Sequence, residues 1–278
     1  MMKKEKTNIP LSYSTVRTTK SRINKGLLAI PVSLLYLFPQ KKSQIFIIDE
    51  DGNEDIKSFT PYNSSSRECR IGGMKEFYEK YSIYENDEIV IQKIDDDKFK
   101  LLPEKLFKNK ILRYLSEFEK SNNDLEANQK INEITKLANI STNEFSRNEF
   151  VNLSDLDLPK RAANERNKTK VSENVPFSMR KILLSLYEGK CQITQFTFLK
   201  KDGNPYFEIH HIDPKVGNHF KNLLVVSPNT HAQFTYSKIE QKFDNDGWLR
   251  EVKFNNESFP VFQIVDDLPE HFEKEVHL

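Results

Sequence analysis

Cysteine is nearly missing from these 278 residues, with Cys69 and Cys191 standing alone and far apart. Two isolated thiols exclude a disulfide scaffold and point to a reducing compartment. Long apolar runs are missing as well. The longest, Leu27 to Phe38, spans twelve residues and is broken by Pro31 and Ser33, short of the roughly 20 needed to cross a bilayer. The opening Met-Met-Lys-Lys-Glu-Lys is charged, and no apolar signal region precedes Leu27. That argues against secretion and makes the cytoplasm the expected location, with no membrane partner. There is no internal repeat, no low-complexity tract and almost no net charge, since 42 Lys and Arg face 41 Asp and Glu for a balance of +1. What is present, 37% hydrophobic and 11% aromatic residues, excludes wholesale disorder, and the length predicts about two domains.

Near-neutrality does not exclude nucleic acid, because the charge is uneven. Residues 1–25 hold seven basic groups against the single Glu5, while residues 191–278 are acidic. An acidic far side does not cancel a basic face beyond a Debye length of roughly 8 Å. Residues 1–8 alone read as a solvated tail.

Residues 13–103 read as strands and turns. Leu27–Ile30, Gln44–Ile48, Ile56–Thr60 and Glu88–Lys93 are rich in β-branched and aromatic residues, and Asp51-Gly52-Asn53 and Asp95-Asp96-Asp97 supply hairpin turns. One helix is predicted over Met74–Tyr81, where Met74, Phe77, Tyr78 and Tyr81 recur at helical spacing. Between 104 and 175 two helical stripes follow: Phe107, Ile111, Leu115 and Phe118, then Ile131, Ile134, Leu137 and Ala138. The basic run Pro159–Lys170 reads first as a solvated loop, and second as a phosphate-tracking linker between two DNA-binding units, which would look the same. From Pro176 a helix carries Met179, Ile182, Leu183, Leu186 and Tyr187 and stops at Gly189. The expected division is 1–104, 105–175 and 176–278.

The chemistry lies in the third segment. Phe207–Ile212 and Leu223–Val226 have strand composition with turn residues Pro214, Gly217 and Asn218 between them, so they predict a hairpin. Ser227-Pro228 is a helix start, which places His231 on a first turn. His210, His211, Asn222 and His231 thus fall in order on strand, strand and helix. Residues 187–240 resemble the HNH nucleases, whose ββα-metal fold carries this pattern. The resemblance implies that His210 and His231 ligate one divalent ion, that His211 is the general base, and that Asn222 orients the base or approaches the metal. Neighbours on a strand point to opposite faces, so one imidazole can bind metal while the other takes a proton from water at neutral pH. Glu208, two residues from His210, either orients that imidazole from the second shell or stands exposed on the strand. Two imidazoles with water and phosphate oxygens suit Mg or Mn, and also Ni or Zn.

Many such nucleases hold a structural zinc with two Cys-x-x-Cys pairs. The equivalent positions here are Cys191, Thr194, Ser227 and Thr230, and one thiolate cannot close a tetrahedral site. No structural zinc is expected; packing of Phe196, Phe198, Phe207 and Trp248 is expected to stabilise the module instead.

The front segment, with Arg70-Ile-Gly-Gly-Met-Lys-Glu-Phe-Tyr and Tyr81-Ser-Ile-Tyr-Glu-Asn-Asp-Glu-Ile-Val-Ile, resembles the DNA-reading pseudobarrel of plant auxin-response factors and restriction-enzyme effector domains. That resemblance implies two arms in the major groove, with Arg22, Lys25, Asn63, Arg67 and Arg70 as DNA-binding residues. The joint expectation is an α+β protein with a pseudobarrel DNA-recognition domain, a helical connector and an HNH nuclease domain. It would be a site-specific double-stranded DNA endonuclease, a type II restriction enzyme of a restriction-modification system. A single head cuts one strand, so double-strand cleavage needs a homodimer, expected through the helices of residues 104–140, or two sequential nicks. A modification-sensing or nicking defence nuclease and a non-enzymatic DNA-binding regulator with an inactive head are the alternatives.

Overall fold

The computed structural model describes residues 3–62, 69–160, 174–268 and 273–277, and the class is α+β. The chain separates into two compact units. The first is Met1–Arg113 with Lys136–Asn139 and His271–Leu278; the second is Tyr114–Thr135 with Ile140–Glu270.

In the first unit, strands β1 (Lys3–Lys6), β2 (Tyr13–Arg17), β3 (Leu27–Ile30), β4 (Ser43–Ile48), β5 (Glu54–Thr60), β6 (Cys69–Gly72), β7 (Glu88–Lys93) and β8 (Lys98–Pro103) join a last strand, Glu273–His277. Together they make a nine-stranded sheet in the order β1, Glu273–His277, β2, β7, β8, β4, β5, β6, β3. Alternation sets the buried face: Ile45 and Ile47 of β4 are buried while Gln44 is exposed. Phe38 stacks on Phe99 at 4.3 Å and on Phe59 at 5.2 Å in the middle of this core. The β4–β5 turn forms because Asp49 accepts hydrogen bonds from the backbone of Asp51 and Asn53, each at 2.9 Å, and Gly52 takes a φ of 85°. Two short helices, α1 (Lys20–Lys25) and α2 (Lys75–Lys80), flank the sheet-forming segments.

Two features of this unit depart from the sequence reading. Residues 3–6 are not a solvated tail but a strand, paired antiparallel with Glu273–Val276. The strand Glu273–His277 also runs parallel to β2, so the sheet extends beyond residues 13–103. Its partners lie at opposite ends of the sequence, where local pattern carries no pairing information. Lys274 fixes the strand: its buried ammonium binds Glu88 at 2.8 Å and also meets Glu104, which accepts a further hydrogen bond from the Tyr13 hydroxyl at 2.9 Å.

The second unit contains α5 (Thr142–Ser154) and α6 (Phe177–Tyr187), to which α3 (Glu104–Glu119) and α4 (Asp124–Ala138) contribute their portions beyond Arg113 and before Lys136. Helices α3 and α4 are thus divided between the two units, and residues 161–173, with most of the basic run, lie outside the described residues. The apolar stripes of α3 and α4 are buried within the chain; Leu112 and Leu125 are their exposed large residues. α5 begins where Ser141 caps the Glu144 amide at 3.1 Å, and its Phe150 stacks on Phe220 at 4.6 Å and Trp248 at 5.6 Å. The unit continues as three small sheets. These are β9 (Phe198–Leu199) with β10 (Pro205–Tyr206), β11 (Glu208–His211) with β12 (Leu223–Val226), and β13 (Ile239–Phe243), β14 (Leu249–Phe254) and β15 (Glu257–Pro260). Helix α7 (Pro228–Tyr236) follows β12. The core gathers Cys191, Leu224, Val226, Phe234, Leu249 and Val252. Gly189 ends the α6 turn with a φ of 69°, and a Cβ there would meet Pro205 at 2.5 Å, so glycine lets the helix end pack on β10.

Candidate functional site

β11 and β12 pair antiparallel with His210 opposite Leu224 and His211 opposite Leu223. All four residues of β12 are buried, which makes this strand the floor of the hairpin. Ser227 then caps α7 by accepting from the Thr230 amide at 3.2 Å, with Pro228 in the first turn. This start sets the helical phase that turns His231 and Phe234, three residues apart, onto His210. The His210 ring stacks on Phe234 at 4.0 Å and meets His231 edge-on at 5.3 Å. Burial, then the nearby His231 and His211 rings, push the His210 pKa down to about 4, so its imidazole is neutral at pH 7.

Glu208 does not orient His210, the partner expected from their shared strand face. Its Oε2 binds His231 Nδ1 at 2.5 Å, and its Oε1 accepts from the Tyr206 hydroxyl at 3.0 Å. Residues i and i+2 of a strand stand nearly 7 Å apart, whereas α7 brings His231 directly to the carboxylate. With Nδ1–H donating to the carboxylate, the Nε2 lone pair of His231 is left for another ligand.

His211 faces the other way. Its Nε2 meets Asn218 Oδ1 at 2.9 Å; an amide oxygen only accepts, so Nε2 donates and Nδ1 is left basic. Asn218 in turn donates to the Asn174 carbonyl at 3.1 Å. Sequence reasoning took Asn218 only as turn material, because a side chain that orients the histidine seven residues before it leaves no periodic signal. Asn222, by contrast, touches neither imidazole. It is buried beneath the hairpin loop, accepting from the Asp213 amide at 2.8 Å and donating to the carbonyls of Asp213, Val216 and Gly217 at 3.0 to 3.2 Å. Its role is to hold the loop that carries Asn218, since a planar amide with two donors and an acceptor satisfies three strands of loop backbone at once.

The four positions equivalent to zinc-binding cysteines are also gathered. Cys191 Sγ lies 3.5 Å from Thr230 Oγ1 and accepts from the Thr194 amide at 3.5 Å, and Thr230 Oγ1 is 2.9 Å from Ser227 Oγ. Burial pushes the Cys191 thiol up, but hydrogen bonds from Thr194, Thr230 and the Ser227 backbone outweigh it and hold the pKa below its ordinary value. Of the four aromatic residues expected to pack the module, Phe207 and Trp248 are buried. Phe196 and Phe198 are 53% and 44% exposed, because β9 is only two residues long and sits on the rim.

The donor set fits a divalent ion in chemistry: two imidazoles, one neutral by burial and one with its tautomer fixed by Glu208. Among the described residues no group of three or more His, Cys, Asp or Glu side chains is placed to hold a metal. The remaining positions would go to water and phosphate oxygens.

In the first unit, Arg22 and Lys25 lie on α1 and Arg70 lies on β6, opposite Ala29 of β3. Burial and then the positive charge of Arg70 lower the Arg22 pKa, so the two guanidinium groups share one electropositive region. Arg22, Thr18 and Thr19 line a cleft of about 320 Å³ whose wall is β3. Asn63 and Arg67 lie outside the described residues. Among the described residues no helix is long and apolar enough to cross a membrane.

No family model and no curated protein matches the chain. Several solved structures are similar to part of it, two of them as follows. A complex of Arabidopsis FUS3 with DNA is 15% identical, covering 31% of this chain and 91% of that one with a TM-score of 0.27. The N-terminal domain of Helicobacter pylori LlaJI.R1 is 13% identical, covering 31% of this chain and 76% of that one with a TM-score of 0.25. Likeness at this level transfers neither fold nor function.

Proposed function

We propose that this protein is a metal-dependent DNA endonuclease in which β11, β12 and α7 form the hydrolytic head and the first unit binds the DNA. The observation that carries the reading is the division of the two adjacent histidines. His210 turns to His231 at 5.3 Å, and His211 turns to Asn218 at 2.9 Å. That is the arrangement a one-ion hydrolase needs, with ligands on one side and a free base on the other.

His210 and His231 would hold the ion, with Glu208 keeping the His231 proton on Nδ1. When bound, a divalent ion supplies positive charge against the phosphate and the departing 3′ oxygen. His211 accepts the water proton at Nδ1 while Asn218 holds Nε2–H, which keeps the base in one tautomer and one orientation. Asn222 holds the loop beneath it. The products are a 5′-phosphate and a 3′-hydroxyl. In the first unit, Arg22, Lys25 and Arg70 offer donors for phosphates and base edges. Cleavage of both strands at a defined site, as a type II restriction enzyme performs it, calls for two heads and so for a dimer or sequential nicks.

The test uses supercoiled plasmid with Mg²⁺ or Mn²⁺. The wild-type chain is expected to nick or linearise it, and His211→Ala to be slower by about 10²-fold or more at an unchanged melting temperature. Equal cutting by the two proteins, or none by the wild type on DNA of varied sequence and methylation, overturns the reading.

A further inference from the structure

The rim beside the candidate site carries an aromatic ladder that the core does not use. Phe196 lies 6.1 Å from Phe198, and Phe198 stacks on Tyr206 at 5.3 Å with the ring planes 22° apart. All three rings are exposed, Phe196 and Phe198 by about half. β9 and β10 carry the ladder, and Lys200 and Lys201 sit at the tip between them. Only Phe207 separates β10 from β11, and Tyr206 donates to the same Glu208 that binds His231. Ladder and candidate site are therefore continuous through two hydrogen bonds.

We propose that this hairpin is a stacking platform for unpaired nucleobases of the DNA strand beside the scissile phosphate. The inference rests on the nuclease reading and narrows its substrate to DNA that is single-stranded or locally opened at the cut. The exposed Phe198 and Tyr206 rings, held nearly parallel with Phe196 tilted by 47° beside them, leave apolar surface in water and offer the face that a base needs. Stacking accepts every base, because each has a π-face; at the hairpin tip Lys200 pairs with Asp202 at 3.1 Å, and Lys201 is the cation left to meet the backbone that accompanies those bases. In an intact duplex the base faces are already covered by their neighbours, so the platform engages only bases that have left the stack. Tyr206 links the two functions: a base stacked on its ring sits against the residue that holds Glu208, and so against the strand that carries His210 and His211.

The test measures binding by the whole protein in EDTA, where cleavage cannot occur. The probes are fluorescein-labelled oligonucleotides of equal length: a single strand, its duplex, and a strand with abasic positions at its centre. The expected result is about tenfold tighter binding to the intact single strand than to the abasic strand. Phe196→Ala with Phe198→Ala should erase that preference, and Phe198→Trp should keep it. Both rings are exposed, so the melting temperature should hold; Phe198→Trp also separates lost stacking from lost folding. Equal binding to intact and abasic strands overturns the proposal. So does sedimentation showing a self-association that the double alanine variant abolishes, which would make a second copy the occupant. A protein with the base preference but no cleavage in Mg²⁺ or Mn²⁺ keeps the platform and ends the nuclease reading. A protein that cleaves without the preference does the reverse.

Discussion

The two units bury carboxylates and treat them in opposite ways. In the first, Glu88 receives hydrogen bonds from Lys274, Arg17 and Thr15, which together outweigh burial and lower its pKa. In the second, Glu149 is 2% exposed on α5, and its Oε2 is a buried acceptor with no partner among the described residues. Burial and then the charge of Glu119 raise its pKa to about 7, against a smaller opposing contribution from Asn152. The first arrangement stabilises an ion; the second tolerates a group that the fold would rather keep protonated. The contrast separates a contact that closes the fold from one that strains it, although in the sequence each is a glutamate with a polar residue before it and an apolar one after it, Asp87 and Ile89 or Asn148 and Phe150.

The contrast breaks most visibly at Lys274. Replacing it with Met removes the cation that Glu88 and Glu104 share; Glu88 keeps Arg17 and Glu104 keeps Lys108, so the loss falls at or below the low end of the range for breaking a buried pair, about 2–3 kcal/mol. Urea unfolding of Lys274→Met should show that loss, and adding Glu88→Gln and Glu104→Gln should restore part of it. If the single variant is as stable as the wild type, the strand Glu273–His277 does not close the sheet. Because the Glu88 pKa is depressed, its contribution is present above the unfolded value of about 4.3. That contribution should fade as pH falls through the lower folded value, and the wild type should lose its advantage over the triple variant there.

Asn222 is the next test, a neutral group satisfied from every side within one hairpin. Asn222→Ala orphans a buried amide and several carbonyls, for a loss of about 3 kcal/mol. Its distinguishing readout is the imidazole signal of His211 by NMR, which should broaden as the Asn218 loop loosens while that of His210 holds. Movement of His210 but not His211 would return Asn222 to the metal side.

These tests also mark what the sequence could and could not show. The elements of the hairpin and α7 were legible because each signal is local. Alternation gives the strands, Ser227-Pro228 starts the helix, and adjacent residues of β11 divide between faces. The Asp51-Gly52-Asn53 turn and the α2 stripe were legible for the same reason. What stayed hidden depends on distant partners. Nothing in Lys3–Lys6 reveals pairing with Glu273–Val276, and nothing within β11 reveals that Glu208 meets a helix residue 23 positions later. α5 was missed because its buried face includes Ser146, Asn148, Glu149 and Ser154, which breaks the apolar period. The exposure of Phe196 and Phe198 was hidden because composition favours burying any phenylalanine.

Glu149 gives the smallest effect and the one whose sign is least intuitive. Its folded pKa of about 7 lies above the unfolded value of about 4.3, so between those values the folded chain keeps a proton that the unfolded chain releases. Stability is therefore fullest below pH 4.3, declines as pH rises toward 7, and stays reduced above it. Glutamine mimics the protonated side chain and removes the decline. The shift is worth at most about 4 kcal/mol at 1.36 kcal/mol per pH unit, and relaxation around the carboxylate brings the expected gain for Glu149→Gln to about 2 kcal/mol at pH 8, with little of it left at pH 4.5. Melting curves of the two proteins across that range check it directly. Parallel pH profiles would show that the carboxylate has found a counter-charge or water, and the contrast with Glu88 would then be one of partner identity, not of satisfaction.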